Sequence, residues 1–346
     1  MTKKAVFIGD IFRTHTSLSG GKFGDGTRKL SQLLAGNLAA LGYSTCTIED
    51  SSSIEVARLY RCLFGEMNNV HTWAIRSQTL TPAVEMLYDS ALGNVDLIMG
   101  FELPESLYAW SCKNRIIAMD FAFHFIRFEK DYRMMLRSNS DVIDRLLDSI
   151  RYNASRLDTL SILSAVPEIA VIEGRGEISV FAQQTRFDRS KFDGRGGIVD
   201  DLELLRSSGI SVDFYKPHPM EHRPEVELYL RRNGAELLPF GGSIYAFLAR
   251  YGHKTRIISV SSGLTAEADM IGVKAWQMLR GFPWVVDGFE AYSSSQTALS
   301  GRFVPVDHRI FTREFLAAAL TGSSWRGGLS DHPTFNLKEF WNVKWS

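Results

Sequence analysis

Short apolar runs, each followed by a longer run of helical periodicity, recur along this chain, and no other feature constrains its fold as much. Residues 4–9 read as a buried strand, the glycine-rich TSLSGGKFGDG follows, and residues 27–41 carry a helical pattern. The rhythm then repeats, with strands expected at 44–48, 95–100 and 115–120 and helices at 53–64 and 102–111. Strand, turn and helix in succession build an α/β layer with a largely parallel sheet.

Two helical runs at 140–152 and 154–164 interrupt this order, and strands resume at 168–172 and 178–183, which places a domain boundary within 165–176. Beyond it, strands are expected at 211–215, 235–238 and 256–260, interleaved with helices at 199–207, 224–232, 243–251 and 267–280. The expected fold class is therefore α/β, with two Rossmann-like domains and ligand sites at the carboxyl ends of their strands. An acceptor-side domain spans 1–170 and a donor-binding domain spans 171–310, while a helix at 313–320 lies in a 311–346 tail that packs back on the domains. A chain of 346 residues is long enough for two such cores.

Thirty-nine Lys and Arg balance thirty-nine Asp and Glu, which excludes a protein held on nucleic acid by its overall charge. The opening MTKKAVFIGD has a strand pattern where a secretory signal needs a longer apolar stretch. No apolar run approaches the ~20 residues of a membrane helix. A cytoplasmic location is expected, with peripheral contact with an inner membrane or with assembly enzymes left open. Cys46, Cys62 and Cys112 lack metal or redox spacing. No metal is expected, since His222, next to Arg223, has no partner at metal-ligand spacing.

VDFYKPHPMEHRP is the sharpest local feature. The run 212–215 forms a strand, and Lys216, Pro217, His218 and Pro219 follow it. The prolines restrict the backbone around His218, which suits an imidazole presented to an anion and equally a rigid turn with a structural histidine. In IISVSSGLTAEA, a buried strand gives way to Ser261, Ser262 and Gly263 before the helix bearing Glu267. Small hydroxyls and free amides at a helix start suit a phosphate, and serines there also cap helices routinely. Both features fall on successive strand ends if the 235–238 strand is set between them.

ISVFAQQTRFDRS takes another strand into a loop carrying Gln183, Gln184, Asp188 and Ser190. Glutamines ending an apolar strand point to a wet or ligand-lined surface. Asp188 reads as a nucleophile, as a group stabilising positive charge, or as a turn residue. In the first domain, Glu102 follows an apolar strand, and Asp120 ends the next one with His124, Arg127 and Asp131 behind it. Either carboxylate can act as an acid or base there; the alternatives are that Glu102 caps a helix and Asp120 pairs with Arg127. The glycines 20, 21, 24 and 26 do not match dinucleotide or P-loop spacing and read as a loop over the cleft with Asp25, or as a purely structural one. The His332–Pro333 pair has no preceding strand and carries no function.

KPHP around His218 and SSG at 261–263 resemble the HP and SS motifs of bacterial glycosyltransferases that use CMP-activated sugars, a group that includes sialyltransferases, polysialyltransferases and Kdo transferases of capsule and lipopolysaccharide assembly. The resemblance is best over 178–270. It implies a GT-B or GT-B-like arrangement with an interdomain cleft, no tightly bound cofactor, and a CMP-sugar as donor substrate. The resemblance gives His218, Ser261 and Ser262 contacts with the CMP portion, and Lys216, Gly263, Gln183 and Glu267, which lie in the same segments, are further candidates for the donor site. The acceptor would be an oligosaccharide or glycolipid.

QQTRFDRS is most similar to the equivalent segment of retaining β-Kdo transferases, and DFAFHFIRFEKD resembles a loop of their first domain. This implies Asp188 as the carbohydrate-bearing nucleophile and Glu102 as acid/base toward the acceptor; Asp120 remains a catalytic candidate on its strand-end position alone. Gln184 and Arg186 depart from that family's local pattern. An inverting sialyltransferase, in which a first-domain carboxylate acts directly as base, is the alternative enzyme. A saccharide-binding or assembly protein without catalysis is the alternative of another class.

Overall fold

A computed structural model of the chain describes residues 2–12, 25–48, 53–67, 72–73, 76, 79–123, 134–150, 176–186, 191, 199–218, 221–239, 244–270, 272–279, 303–325, 337 and 340. Two α/β sheets organise them, each of Rossmann-like topology. The expected helix at 154–164 and strand at 168–172 lie outside the described residues.

The first sheet has the order β11-β5-β4-β3-β1-β2. Its strands are β1 (Lys3–Ile8), β2 (Tyr43–Ile48), β3 (Leu97–Phe101), β4 (Ile117–Phe123), β5 (Met134–Ser138) and β11 (Val304–Val306). The strands β1 to β4 run parallel, whereas β5 is antiparallel to β4 and β11 antiparallel to β5. Alternate side chains of β1 enter two cores, as expected of a sheet covered on both faces. Ala5 and Phe7 pack with Leu30, Leu34 and Leu38 of α1 (Asp25–Ala40), and Val6 and Ile8 pack with Tyr60, Tyr88 and Trp110. Those three aromatics belong to α2 (Ser53–Phe64), α3 (Pro82–Leu92) and α4 (Glu105–Lys113). Thr81 caps α3 by accepting from the Val84 amide, and Pro82 stands where a missing N–H costs nothing.

Four expectations for this sheet are corrected. Strand β4 runs on through Phe123, because Phe121 and Ala122 continue the apolar run, so Asp120 lies inside the strand. The helix expected at 102–111 begins at Glu105 after Pro104, so Glu102 precedes it by a turn rather than capping it. Residues 304–306, expected in the donor domain, form the edge strand β11 of this first sheet. The 140–152 helix resolves into α5 (Asp141–Leu147) and a 3-10 turn at Asp148–Ile150. Beyond β11, the helix α10 (Arg313–Thr321) packs against α1 and α5, and Leu337 is buried in the same core.

The second sheet is wholly parallel, with the order β10-β9-β6-β7-β8. Its members are β6 (Ile178–Ala182), β7 (Phe214–Lys216), β8 (Glu236–Leu237), β9 (Thr255–Ser259) and β10 (Lys274–Gln277). One face packs Ile178, Val180 and Ile257 against Phe247 and Leu248 of α8 (Ile244–Tyr251) and Ala268 of α9 (Gly263–Met270). The other packs Phe181, Tyr215 and Ile258 against Leu205 of α6 (Asp201–Ser208) and Val226 of α7 (Pro224–Arg232). The helix expected at 267–280 instead spans Gly263–Met270, because Gly272 adopts a left-handed φ of 76° that ends it and lets β10 begin. The strand between the His218 and Ser261 loops is β6; β8, expected in that place, lies at the sheet edge.

In the first sheet the order reverses between β1 and β3, and in the second between β6 and β9, so each has a crevice at those carboxyl ends where ligands of such sheets bind. Two glycines close the first crevice. A Cβ on Gly26 would stand 2.7 Å from Phe101 Cδ1, so only glycine brings the first turn of α1 onto the end of β3. A Cβ on Gly100 would stand 2.0 Å from Leu103 Cδ2 and 2.9 Å from the Ile8 carbonyl oxygen, because the chain folds straight back over it. Gly100→Ala should therefore cost about 1–3 kcal/mol, read as a lowered urea midpoint with unchanged slope.

Candidate functional site

The turn after β3 is short and heavily tied. Glu102 has φ 54°, a left-handed conformation that costs a non-glycine residue about 1–2 kcal/mol. Its N–H donates to the Phe121 carbonyl at 2.7 Å, and the next amide, Leu103, donates to Asp120 Oδ1 at 2.8 Å. Asp120 Oδ2 accepts from Arg137 Nε at 2.8 Å, and Arg137 Nη1 donates to Glu105 Oε2 at 3.0 Å. The guanidinium is 1% exposed and lies 4.1 Å from the Tyr108 ring centroid and 4.8 Å from that of Phe303. Asp120 is wholly buried and pairs with Arg137; Arg127, the partner expected from the sequence, lies outside the described residues along with His124 and Asp131.

Burial pushes the Asp120 carboxyl up to about 6, opposed by the Arg137 charge and the Leu103 N–H and reinforced by Glu105. With both oxygens engaged and no surface, Asp120 is not placed to exchange a proton with a substrate. Glu102, half-buried at the crevice of β1 and β3, is the carboxylate of this turn that reaches the surface. Asp10, on the loop after β1, is held by the Phe12 amide at 3.0 Å and Trp73 Nε1 at 2.8 Å.

At the second crevice, Gln184 follows β6 and reaches across to the loop after β9. Its Oε1 accepts from the Ser261 amide at 2.6 Å, and its Nε2 donates to Ser261 Oγ at 3.1 Å. The Ser262 amide donates to Ser259 Oγ at 3.0 Å, and Ser262 Oγ accepts from the Leu264 amide at 3.3 Å. Gly263 opens α9. The turn is thus already capped by its own serines and by Gln184, which satisfies amides that a helix start leaves open. Glu267 lies inside α9, 2% exposed, and accepts from Tyr245 Oη at 2.8 Å, so it sits in the interior of the unit.

Gln183 is 4% exposed, and among the described residues neither atom of its amide has a partner. Its own N–H donates to the Lys216 carbonyl at 3.0 Å, carrying the β6–β7 ladder one step past the strand. Lys216 ends β7, and the half-buried His218 forms a bridge with Glu221. Glu221 in turn accepts from the Arg186 amide at 2.7 Å, which ties the loop after β6 to the loop after β7. Around the central β6, the structure therefore brings together Gln183, Gln184, Lys216, His218, Ser261, Ser262 and Gly263 at one end of the sheet.

Asp188 lies outside the described residues, and the groups on either side of its segment are firmly held. Lys191, wholly buried, donates to Asp201 Oδ1 at 2.6 Å and to the Thr185 carbonyl at 2.9 Å. Arg223, also buried, lies 3.3 Å from Asp201 Oδ2 and 2.9 Å from Glu225 Oε1. Burial raises the Asp201 carboxyl while Lys191 pulls it back. At Glu225, burial favours the neutral form but its own backbone N–H with Arg186 and Arg223 holds the carboxyl at about 2. Sequence reasoning singled out none of Arg137, Glu105, Lys191, Asp201 and Arg223. A lone arginine in the apolar run MMLRS and the paired aspartates before LELL were the available signals.

Among the described residues, no group of three or more His, Cys, Asp or Glu converges as metal ligands would, and no helix is long and apolar enough to cross a membrane. No protein-family model and no curated protein matches the chain. Among solved structures, a putative UDP-N-acetylglucosamine 2-epimerase from Listeria monocytogenes aligns over 93% of this chain and 97% of its own, with 10% identity and a TM-score of 0.28. The E. coli heptosyltransferase WaaC with ADP-2-deoxy-2-fluoro heptose aligns over 82% and 90%, with 15% identity and a TM-score of 0.22. Similarity at these scores carries no weight for substrate or reaction.

The raised Asp120 carboxyl has a definite sign. The folded chain binds this proton more tightly than the unfolded chain, whose aspartate has the ordinary value of 3.8, so the stability it contributes is full below that pH and is lost as pH rises toward about 6. The urea midpoint should accordingly fall between those pH values, and Asp120→Asn should flatten that part of the profile.

Proposed function

We propose that the chain is a glycosyltransferase that takes its sugar from a CMP-activated donor, with Kdo as that sugar and retention as the outcome. The observation that carries the reading is the meeting of the β6, β7 and β9 loops at one end of the second sheet, around its reversal of strand order. The residues that resemble HP and SS motifs stand on either side of β6 there. A nucleotide phosphate would find the hydroxyls of Ser261 and Ser262, the Gly263 helix start, His218 and Lys216 within one crevice.

The capping of that turn adds a chemical detail. Gln184 Oε1 occupies the Ser261 amide at 2.6 Å, so a phosphate oxygen that takes this amide displaces a neutral acceptor with a charged one. Among the described residues the Gln183 amide has both its donor and its acceptor unengaged, so it can serve the donor nucleotide. Glu267 is removed from the direct donor contacts and supports α9 from within.

In the reaction, an Asp188 carboxylate oxygen attacks the anomeric carbon of Kdo, and the bond from that carbon to the phosphate oxygen breaks with its electron pair leaving on CMP. His218 and the serine-bearing helix start stabilise the charge gathering on the departing phosphate. An acceptor hydroxyl on an oligosaccharide or glycolipid then attacks the same carbon, gives its proton to Glu102 and restores the Asp188 carboxylate. This requires Glu102 of the first unit and the crevice of the second to meet over one donor, as in a GT-B cleft. The reading calls for no metal and for no nucleic acid. The work belongs in the cytoplasm, at the inner membrane where the acceptor is a glycolipid.

Intact-protein mass after incubation with freshly generated CMP-β-Kdo, with CMP release followed in the same samples, tests this. The natural chain should gain one Kdo, and Asp188→Ala and Asp188→Asn should not. CMP release with acceptor but without an adduct removes the covalent step. No release from CMP-β-Kdo but release from CMP-sialic acid replaces the donor and the stereochemistry, and saccharide binding without affinity for either donor replaces the enzyme with a binding protein.

A further inference from the structure

The first crevice contains machinery that the proposed reaction does not use directly. Asp120 and Arg137 are directly opposed in the antiparallel register of β4 and β5, so the ladder holds those strands together without an ion pair. The remaining contacts of the pair lead to the turn bearing Glu102. Asp120 takes the Leu103 amide, immediately after Glu102, and Arg137 takes Glu105, the first residue of α4. Glu102 itself is pinned on its amide side by the Phe121 carbonyl. The four residues from 102 to 105 are thereby held at three points by β4 and β5.

We propose that Asp120 and Arg137 are positioning residues for Glu102, holding the turn after β3 so that the Glu102 carboxylate stays presented at the first crevice; this rests on the reading of Glu102 as the group that activates the acceptor hydroxyl. Neither residue touches substrate, since Asp120 is 0% and Arg137 1% exposed. Structural cohesion alone does not account for them. Two carboxylates and one guanidinium withdrawn from water are commonly no more stabilising than apolar side chains of similar volume. What apolar side chains cannot supply is an acceptor for the Leu103 amide and a fixed partner for Glu105. A glutamate with φ 54° stays in that conformation only where its surroundings determine it, and these include this set together with the close packing of Leu103 on Gly100. Arg137 is held between the Tyr108 and Phe303 rings, which fixes the plane of the fork that joins Asp120 to Glu105.

Two double-variant cycles on the full chain test this. In the first, thermal unfolding is measured for the natural chain, Asp120→Asn, Glu102→Gly and the double variant. Glycine takes the left-handed conformation without penalty, so the midpoint lost through Asp120→Asn should be smaller in the Glu102→Gly background by about 2 °C or more. Equal losses in both backgrounds overturn the proposal. In the second cycle, the adduct formed with CMP-β-Kdo is followed by intact mass as water discharges it, a rate counted per loaded molecule and so insensitive to a misfolded fraction. Asp120→Asn should slow discharge about tenfold or more in the natural background and add nothing in the Glu102→Gln background. Equal slowing in both overturns the positioning role. If no adduct forms, or if Glu102→Gln discharges at the natural rate, the functional reading has failed, and the first cycle still decides whether Asp120 holds the turn. Should Asp120→Asn not fold, Asp120→Glu keeps the charge opposite Arg137 while moving the acceptor away from Leu103, and the same comparisons apply.

Discussion

A cation withdrawn from water must be surrounded by acceptors, and that requirement shapes the loops of both units. In the first, Arg137 joins β5 to Asp120 of β4 and to Glu105 at the start of α4. In the second, Lys191 and Arg223 converge on Asp201, at the start of α6. Both arrangements lie beside the loop that follows a strand next to the point where strand order reverses. In both, therefore, the backbone that borders a crevice is fixed by charges that cannot relax toward solvent. Surface ion pairs such as Lys274 with Glu177 do nothing comparable, because water can take the place of either partner.

The regular part of the fold was legible in the chain. The helix expected at 53–64 has those bounds, and the strands near 4–9, 44–48, 95–100, 178–183 and 256–260 were placed by their apolar runs. The five-residue β5 escaped because MMLRS carries a charge in its midst and has no alternation to mark it. The α3 helix was missed although Thr81 and Pro82 are a legible start signal. Strand order is a different kind of information. Periodicity identifies β6 as a strand but does not say that it lies between β7 and β9, and that placement is what sets Gln184 beside Ser261, 77 positions away.

The candidate residues divide along the same line. Gln183, Lys216, His218, Ser261, Ser262 and Gly263 are candidates because each follows an apolar run, and the sheet gathers those ends. Asp120 was misread for the converse reason: its strand continues three residues past it, and its partner Arg137 comes from an antiparallel neighbour no local pattern announces. The adjacent glutamines share a sequence context and have opposite fates. Gln184 spends its amide on Ser261, whereas Gln183 keeps a buried amide without partners among the described residues, at about 1–3 kcal/mol for each unsatisfied group.

Strand β11 joins β5 at the edge of the first sheet although it comes from residues 304–306, after every second-sheet strand among the described residues has passed. The first unit is thus made of two separated stretches of chain. During synthesis the ribosome releases β6 to β10 while that sheet still lacks its outermost strand and the covering α10 helix. Among the described residues, the strands of the second unit are all released before the last strand of the first, so the unit that is begun first is the later of the two to have its strands in hand.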